Sequence, residues 1–83
     1  MSSIDELVAT LSSVEQQLEE AGAHLGTCRL RLEEARRALT RLDPEHPETV
    51  VPPGLPRSDD QIERVQHTIE LTANTIRDFA TRL

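Results

Sequence analysis

The apolar residues between Ile4 and Leu42 recur at alternating intervals of three and four residues without a slip. With Ile4 as position a of a seven-residue repeat, positions a and d are apolar throughout. Column a contains Ile4, Leu11, Leu18, Leu25, Leu32 and Leu39, and column d contains Leu7, Val14, Ala21, Cys28, Ala35 and Leu42. This pattern predicts a coiled-coil helix over residues 4–42. Because a helix cannot bury its own stripe, it also predicts a packing partner.

A second apolar stripe with the same spacing follows near the end of the sequence. Its members are Ile62, Val65, Ile69, Thr72, Ile76, Phe79 and Leu83, and Ala73 and Ala80 widen it. The preceding Ser58-Asp59-Asp60-Gln61 has the pattern of a capping box, in which the Ser58 hydroxyl accepts a hydrogen bond from the Gln61 amide. We therefore expect a second helix over residues 59–83.

All five prolines lie in the segment 43–57 between the two stripes. Pro44 is expected to end the first helix near Leu42, because a residue that precedes proline avoids the helical region. The rest of the segment predicts a semi-rigid, extended connector that reaches up to roughly 45 Å. Two roles are open for it: its apolar residues seal the end of a bundle, or its prolines bind a partner domain.

Two local features of the first helix attract attention. Ser2 or Ser3 is expected to cap it, with Asp5 and Glu6 in the first turn at the positive end of the helix dipole. Gly22 and Gly26 interrupt the middle, but the heptad phase continues through them, so we expect one unbroken helix. The glycines indicate either a locally soft helix or a close crossing with another helix.

Together these patterns predict one all-α domain over residues 1–83, a two-helix coiled-coil hairpin that assembles into a helical bundle. The first helix exceeds the second by about 14 residues, or roughly 20 Å. A simple hairpin would then leave part of the first stripe uncovered, namely Ile4, Leu7, Val8, Leu11 and Val14. Since a monomer rarely exposes such a strip, we expect a homo-oligomer, most simply a homodimer.

The two copies of the first helix are expected to run antiparallel. Parallel copies would stack the small residues Ala21, Cys28 and Ala35 on themselves, whereas antiparallel copies set large a residues against small d residues. Charge favours the same direction, because residues 1–28 contain five acidic and no basic residues, and residues 29–41 contain five Arg and two Glu. This pairing brings Glu15 near Arg29 or Arg36 of the partner. Alternatively, isoleucines of the second helix fill the thin layers.

Composition excludes several classes of function. The formal net charge of -6 disfavours nucleic acid and anionic membranes as partners. No apolar run reaches the length of a membrane span, and residues 1–6 lack the features of a secretory signal, so we expect a cytoplasmic protein unless a signal-less route exports it. Cys28 is the single cysteine, and its place in column d predicts a reduced, buried and unreactive thiol.

Candidate chemistry is sparse. His24 and Cys28 have the four-residue spacing of metal ligands on a helix, with His46 or His67 as a conceivable third ligand, but both also fit an ordinary helix surface and seam. No nucleophile has a matched base in a known motif, and no glycine-rich phosphate loop is present. We therefore expect no enzymatic activity, no metal site and no cofactor.

The opening Ser2-Ser3-Ile4-Asp5-Glu6-Leu7, the long helix, the Pro/Gly connector and the closing Ile76-Arg77-Asp78-Phe79 form a recognisable layout. It resembles small helical-hairpin modules of actinobacteria that occur alone or at the N-termini of polymorphic toxins, similar in build to the Trp-x-Gly family of type VII secretion. The connector has Pro52-Pro53-Gly54-Leu55 in place of Trp-x-Gly, and the chain has no Tyr for the family's export signal. No functional residue is therefore carried over.

Two functions follow as expectations. The favoured one is a non-enzymatic coiled-coil interaction module, an assembly or adaptor protein that self-associates through its heptad stripes. A second protein is a further candidate partner. The alternative, which the resemblance implies, is a signal-less secreted or delivery module of a type VII or polymorphic-toxin system.

Overall fold

The protein is a hairpin of two antiparallel α-helices in the computed structural model, which describes residues 2–83. Helix α1 spans Ser3–Thr40 and helix α2 spans Gly54–Thr81. A single turn of 3-10 helix, Pro47–Thr49, lies between them. The described residues contain no β-strand. The predicted all-α helical hairpin is therefore confirmed.

Helix α1 begins at the predicted capping residues. The Asp5 amide donates to Ser2 Oγ at 3.2 Å, and the Ser2 amide donates to Asp5 Oδ2 at 3.5 Å, which completes a capping box. The helix passes through both internal glycines without a break and ends at Thr40, with Arg41 as its C-cap. Leu42, predicted to be its last seam residue, lies beyond the helix and is 73% exposed.

Helix α2 begins five residues before the predicted start at residue 59, and the predicted Ser58–Gln61 capping box is wrong. The residue that precedes the helix is Pro53, which makes no side-chain cap, and Ser58 already lies inside the helix. Pro56 is tolerated in the first turn because the first amides of a helix have no intrahelical acceptor, so its missing N–H costs no hydrogen bond. The Leu55 and Arg57 amides donate to the carbonyls of Pro52 and Pro53.

The connector is short and folded, not extended over residues 43–57. The amides of Val50 and Val51 both donate to the Pro47 carbonyl at 3.1 and 2.9 Å, so the chain turns back within residues 41–53. Helix α2 consequently reaches far along α1, and Arg77 contacts Glu15. Val8 and Leu11, predicted to be uncovered, are half-buried, whereas Ile4, Leu7 and Val14 are exposed as predicted.

The hairpin is long and has almost no interior. It measures 64 × 15 × 14 Å, and its radius of gyration of 18.9 Å exceeds the roughly 12 Å of a compact domain of this length. Among the described residues only Ala73, 4% exposed, is buried. Two helices side by side can shield each other along one line only, so most apolar side chains keep a solvent-facing side.

Candidate interaction site

The predicted interface residues divide into two sets according to what α2 covers. Column a of α1 and the matching residues of α2 lie half-buried along the line where the helices meet. This set comprises Leu11, Leu18, Leu25, Leu32, Leu39, Ile62, Ile69 and Ile76. Ile4, at the start of α1, is 54% exposed and lies outside the set. One half of the predicted seam is thus used within the chain.

The second set remains exposed along one side of the hairpin. It comprises Leu7, Val14, Ala21, Cys28, Ala35, Val65, Thr72 and Phe79, and we call it the open face. Its larger members Leu7, Val65 and Phe79 are 43%, 49% and 47% exposed. A shallow groove on this side, lined by Leu25, Ser58, Gln61, Ile62 and Val65, runs between the helices. The residues of column d are therefore all exposed in the single chain.

The margins of the open face carry no charge over most of its length. Residues three positions after its members lie beside them on the same side of each helix. From the N-terminal end of α1 these are Thr10, Gln17 and His24, and on α2 they are Thr68 and Thr75. Gln61, four positions before Val65, lies on the same side. The charged residues in this position are Arg31, near the connector, and Arg82, just after the end of α2. In a chain that is 29% charged, α1 therefore has no charged residue among Thr10, Gln17, His24 and the open-face residues beside them.

The opposite edge of the hairpin is polar and fixes how the two helices are aligned. Arg29 holds Asp59 with two hydrogen bonds, Nε to Oδ1 at 2.9 Å and Nη2 to Oδ2 at 3.2 Å. Arg29 Nη1 also donates to Gln66 Oε1 at 3.3 Å, and Gln66 Nε2 donates to the Gly22 carbonyl at 3.1 Å. These hydrogen bonds connect α1 and α2 at two places, at Arg29 and at Gly22. A shift of one helix along the other would therefore break them.

A second ion-pair cluster lies on the same edge. Arg77 donates from Nε to Glu15 Oε1 at 2.7 Å and from Nη2 to Glu19 Oε1 at 2.8 Å. Glu15 and Arg29, which the sequence predicts to pair between chains, are therefore paired within the chain with Arg77 and Asp59. The charge argument for antiparallel copies of α1 thus loses its basis, and that pairing stays a prediction that only packing supports.

Arginine contacts hold two carboxylates in their charged form. The hydrogen bonds from Arg36, a neighbour on α1, lower the pKa of Glu33 to about 2, and those from Arg29 lower the pKa of Asp59. The hydrogen bonds to Asp59 raise the pKa of Arg29, and the hydrogen bond that Arg77 donates to Glu15 raises the pKa of Arg77. Glu33 and Asp59 therefore stay ionised across neutral pH and act as fixed structural contacts, not as proton donors or acceptors.

Side chains of α2 lie close over Gly22 and Gly26, which agrees with the second of the two interpretations left open. A Cβ added at Gly22 would lie 3.6 Å from Ile69 Cγ2, an ordinary contact. One added at Gly26 would lie 3.2 Å from Gln66 Nε2, which is tight. The glycines therefore make room for the side chains of α2, and Gln66 in particular needs the space above Gly26.

We expect Gly22→Ala to stabilise the hairpin by about 1 kcal/mol, because it removes the helix penalty of glycine at a site with room for a methyl group. The matched variant Gly26→Ala should gain less or lose stability, because its methyl group pushes Gln66 away from the Gly22 carbonyl. Urea unfolding followed by circular dichroism, at one protein concentration, measures both changes. Equal gains for the two variants would contradict the close contact at Gly26.

The cysteine and histidines predicted as weak metal candidates do not converge. No group of three His, Cys, Asp or Glu side chains within residues 2–83 is arranged to hold a metal ion. Cys28 is exposed in the single chain, so the predicted shielding of its thiol depends on a second molecule. In the same residues, no helix is long and apolar enough to cross a membrane.

Comparison of the chain with protein-family models, curated proteins and solved structures finds no match. The open face and the polar edge behind it are therefore the features of the molecule that bear on its function. The sequence shows part of both features. Columns a and d identify the apolar residues of α1, but the sequence does not show which of the two columns α2 covers.

Four residues determine that α2 covers column a: Glu15, Gly22, Arg29 and Gln66. Each lies four positions after an apolar residue of the line where the helices meet, and each forms a hydrogen bond across the polar edge.

Proposed function

We propose that this chain is a non-enzymatic coiled-coil interaction module that self-associates through its open face and acts as an assembly or adaptor protein. The observation that carries the proposal is an apolar column exposed along a hairpin in which only Ala73 is buried among residues 2–83. Small domains normally need a core, a disulfide, a metal or association to remain folded. Association is the one of these that the open face can supply.

The exposed surface is too large for a chain of this size to be stable alone. The hairpin exposes 6328 Å², and a compact monomer of 9.3 kDa exposes roughly 5,000 Å². The difference is of the same order as the roughly 800 Å² that each partner buries in a standard interface. A second molecule on the open face would remove roughly 800 Å² of this excess.

The dimensions of the open face fit such an interface. The paired part of the hairpin is as long as the 28 residues of α2, or about 42 Å, and two helices side by side are about 20 Å wide. Their product gives a footprint of about 800 Å², which a second copy can cover completely. Coverage along this length would bury the Val65 and Phe79 side chains, which are now half exposed.

A second copy of the chain is the partner that best fits an open face without charged residues. Each molecule carries a net charge of -6, so two copies repel wherever charged sides meet. The open face and its uncharged margins provide the side on which two copies can touch without placing like charges together. A strongly basic partner would be expected to meet a carboxylate-rich surface instead.

Light scattering after size-exclusion chromatography tests the proposal directly. We expect a mass of twice 9.3 kDa at micromolar concentrations, with the thiol of Cys28 protected from a maleimide reagent. Dilution should release monomers and restore rapid labelling, because the same contact shields the thiol. A monomer mass with full helicity at high micromolar concentration would refute self-association, and rapid Cys28 labelling of an intact dimer would show that the copies associate through a face other than the open face.

A further inference from the structure

We infer that the second copy lies on the open face with its α2 against α1 of the first, related by a two-fold axis parallel to the long axis of the hairpin. This inference rests on the proposed self-association and specifies its geometry. The result is a four-helix bundle in which every helix is antiparallel to both neighbours and both connectors lie at the same end. It differs from the direct antiparallel pairing of two α1 helices that the sequence predicts.

Contacts between α1 and α2 within one chain fix how the two helices are aligned. The Arg77 guanidinium lies 2.7 Å from Glu15, and Arg29 lies 3.7 Å from Glu63. A Cβ at Gly22 would lie 3.6 Å from Ile69. These pairs show which residues of α1 and α2 lie at the same height along the hairpin. Rotation about an axis parallel to the helices preserves height, so the same levels apply between α1 and the partner's α2.

With these levels, the apolar columns of the two molecules interlock with a shift of only one to two residues, or roughly 1.5–3 Å. Residues of column a on α1 meet open-face residues on α2 of the second molecule. Leu25 meets Val65 of that molecule, and Leu18 meets its Thr72. Open-face residues of α1 meet isoleucines, Ala21 against Ile69, Cys28 against Ile62 and Val14 against Ile76. Each layer pairs a larger side chain with a smaller one, as close packing requires.

The alternative axis, across the hairpin, cannot satisfy both pairs of helices at once. It lays α1 on α1 and α2 on α2. When Leu25 is placed against Ala21 of the second molecule, the fixed levels of the hairpin bring Val65 opposite Thr72, one open-face residue against another. Antiparallel helices pack with a residues against d residues, so α2 would be out of phase by about three residues, or roughly 4.5 Å. The polar edge of Arg29, Asp59 and Gln66 prevents α2 from sliding to correct this.

The margins of the open face agree with the parallel axis. At the same levels, Gln17 lies beside Thr75 of the second molecule and His24 beside Thr68. Arg31 faces Gln61, so no two charges of one sign are brought together along this margin. The ion pairs of Glu15 with Arg77 and of Arg29 with Asp59 stay on the polar edge of each hairpin and need not be broken. Association therefore requires no rearrangement of the single chain.

Distances between spin labels test the direction of the axis. A single nitroxide is attached to a cysteine at position 48 (Glu48→Cys) in a Cys28→Ala background, and a matched sample carries it at position 3 (Ser3→Cys). Light scattering first confirms that each labelled protein is a dimer. Where Cys28→Ala alone dissociates the protein, Cys28→Val replaces it because it preserves side-chain volume.

We expect pulsed electron resonance to give a distance below about 30 Å at both positions, because each pair of labels shares one end of a bundle about 20–25 Å wide. Distances above about 50 Å at both ends would overturn the inference in favour of the axis across the hairpin, since the hairpin is 64 Å long. A dimer with one short and one long distance would also overturn it. Monomeric unlabelled protein would instead refute the proposed self-association itself.

Discussion

Val65→Glu is expected to dissociate the dimer, with a loss of affinity of roughly a hundredfold or more. Val65 lies in the middle of the open face and is 49% exposed in the single chain. Association would bury the new carboxylate twice in each dimer, and an unpaired buried charge costs several kcal/mol. Phe79→Glu, at the end of the same column, should act in the same direction. Sedimentation equilibrium over a range of concentrations measures the dissociation constants.

Leu71→Glu provides the matched control on the same helix. Leu71 is as exposed as Val65, at 54%, but it lies away from the open face. The change in charge and the loss of an exposed apolar side chain are therefore similar. We expect its dissociation constant to stay within about threefold of the wild type, because the site remains solvated in the dimer. Equal weakening by Val65→Glu and Leu71→Glu would show that net charge alone controls association.

The second large effect is a dependence of stability on concentration, because we expect folding and association to occur together. Since only Ala73 is buried among the described residues, we expect the single hairpin to lack the core that it needs to remain folded in isolation. For a folded dimer that unfolds to separate chains, each tenfold dilution weakens stability by about 1.4 kcal/mol. For a dimer of this size we expect the melting temperature to fall by about 3–6 °C per tenfold dilution.

Circular dichroism melts at 1, 10 and 100 µM protein test this coupling. Gly22→Ala serves as a control, since it should raise all three melting temperatures and leave their dependence on concentration unchanged. Val65→Glu should lose helicity at the lowest concentration already at room temperature. A melting temperature that is the same at all three concentrations would mean that the hairpin folds alone, and the need for a partner would disappear.

The sequence predicted the helices because their signals are local. A heptad stripe that persists from Ile4 to Leu39 leaves no other structure for α1, and Ser2 with Asp5 identifies its start. The start of α2 was misplaced because two signals competed. Ser58–Gln61 has the composition of a capping box, but Pro53 and Pro56 are also compatible with a first helical turn, and the additional turn brings Leu55 into a half-buried position near Leu32.

The division of the seam was less predictable than its existence. Periodicity places Leu18 and Ala21 on one stripe, but the side on which α2 packs depends on Gly22, Gly26 and Gln66, whose complementarity is visible only in three dimensions. The charge argument that paired Glu15 with Arg29 or Arg36 of a second molecule lost its basis for the same reason. Glu15 and Arg29 are both within reach of α2, and its Arg77 and Asp59 engage them. Sequence charge patterns indicate which pairs are favourable but not which chain supplies them.

The uncharged margins of the open face also have a consequence for how fast two molecules find each other. Two chains of net charge -6 repel at a distance, and the open face has no opposite charges that would steer them together. Their encounter should therefore be slow in dilute buffer and become faster as salt screens the repulsion over a Debye length of about 8–10 Å. Most charge-steered complexes associate more slowly in salt. This hairpin would assemble most readily in the salty, crowded solution where its acidic sides no longer keep copies apart.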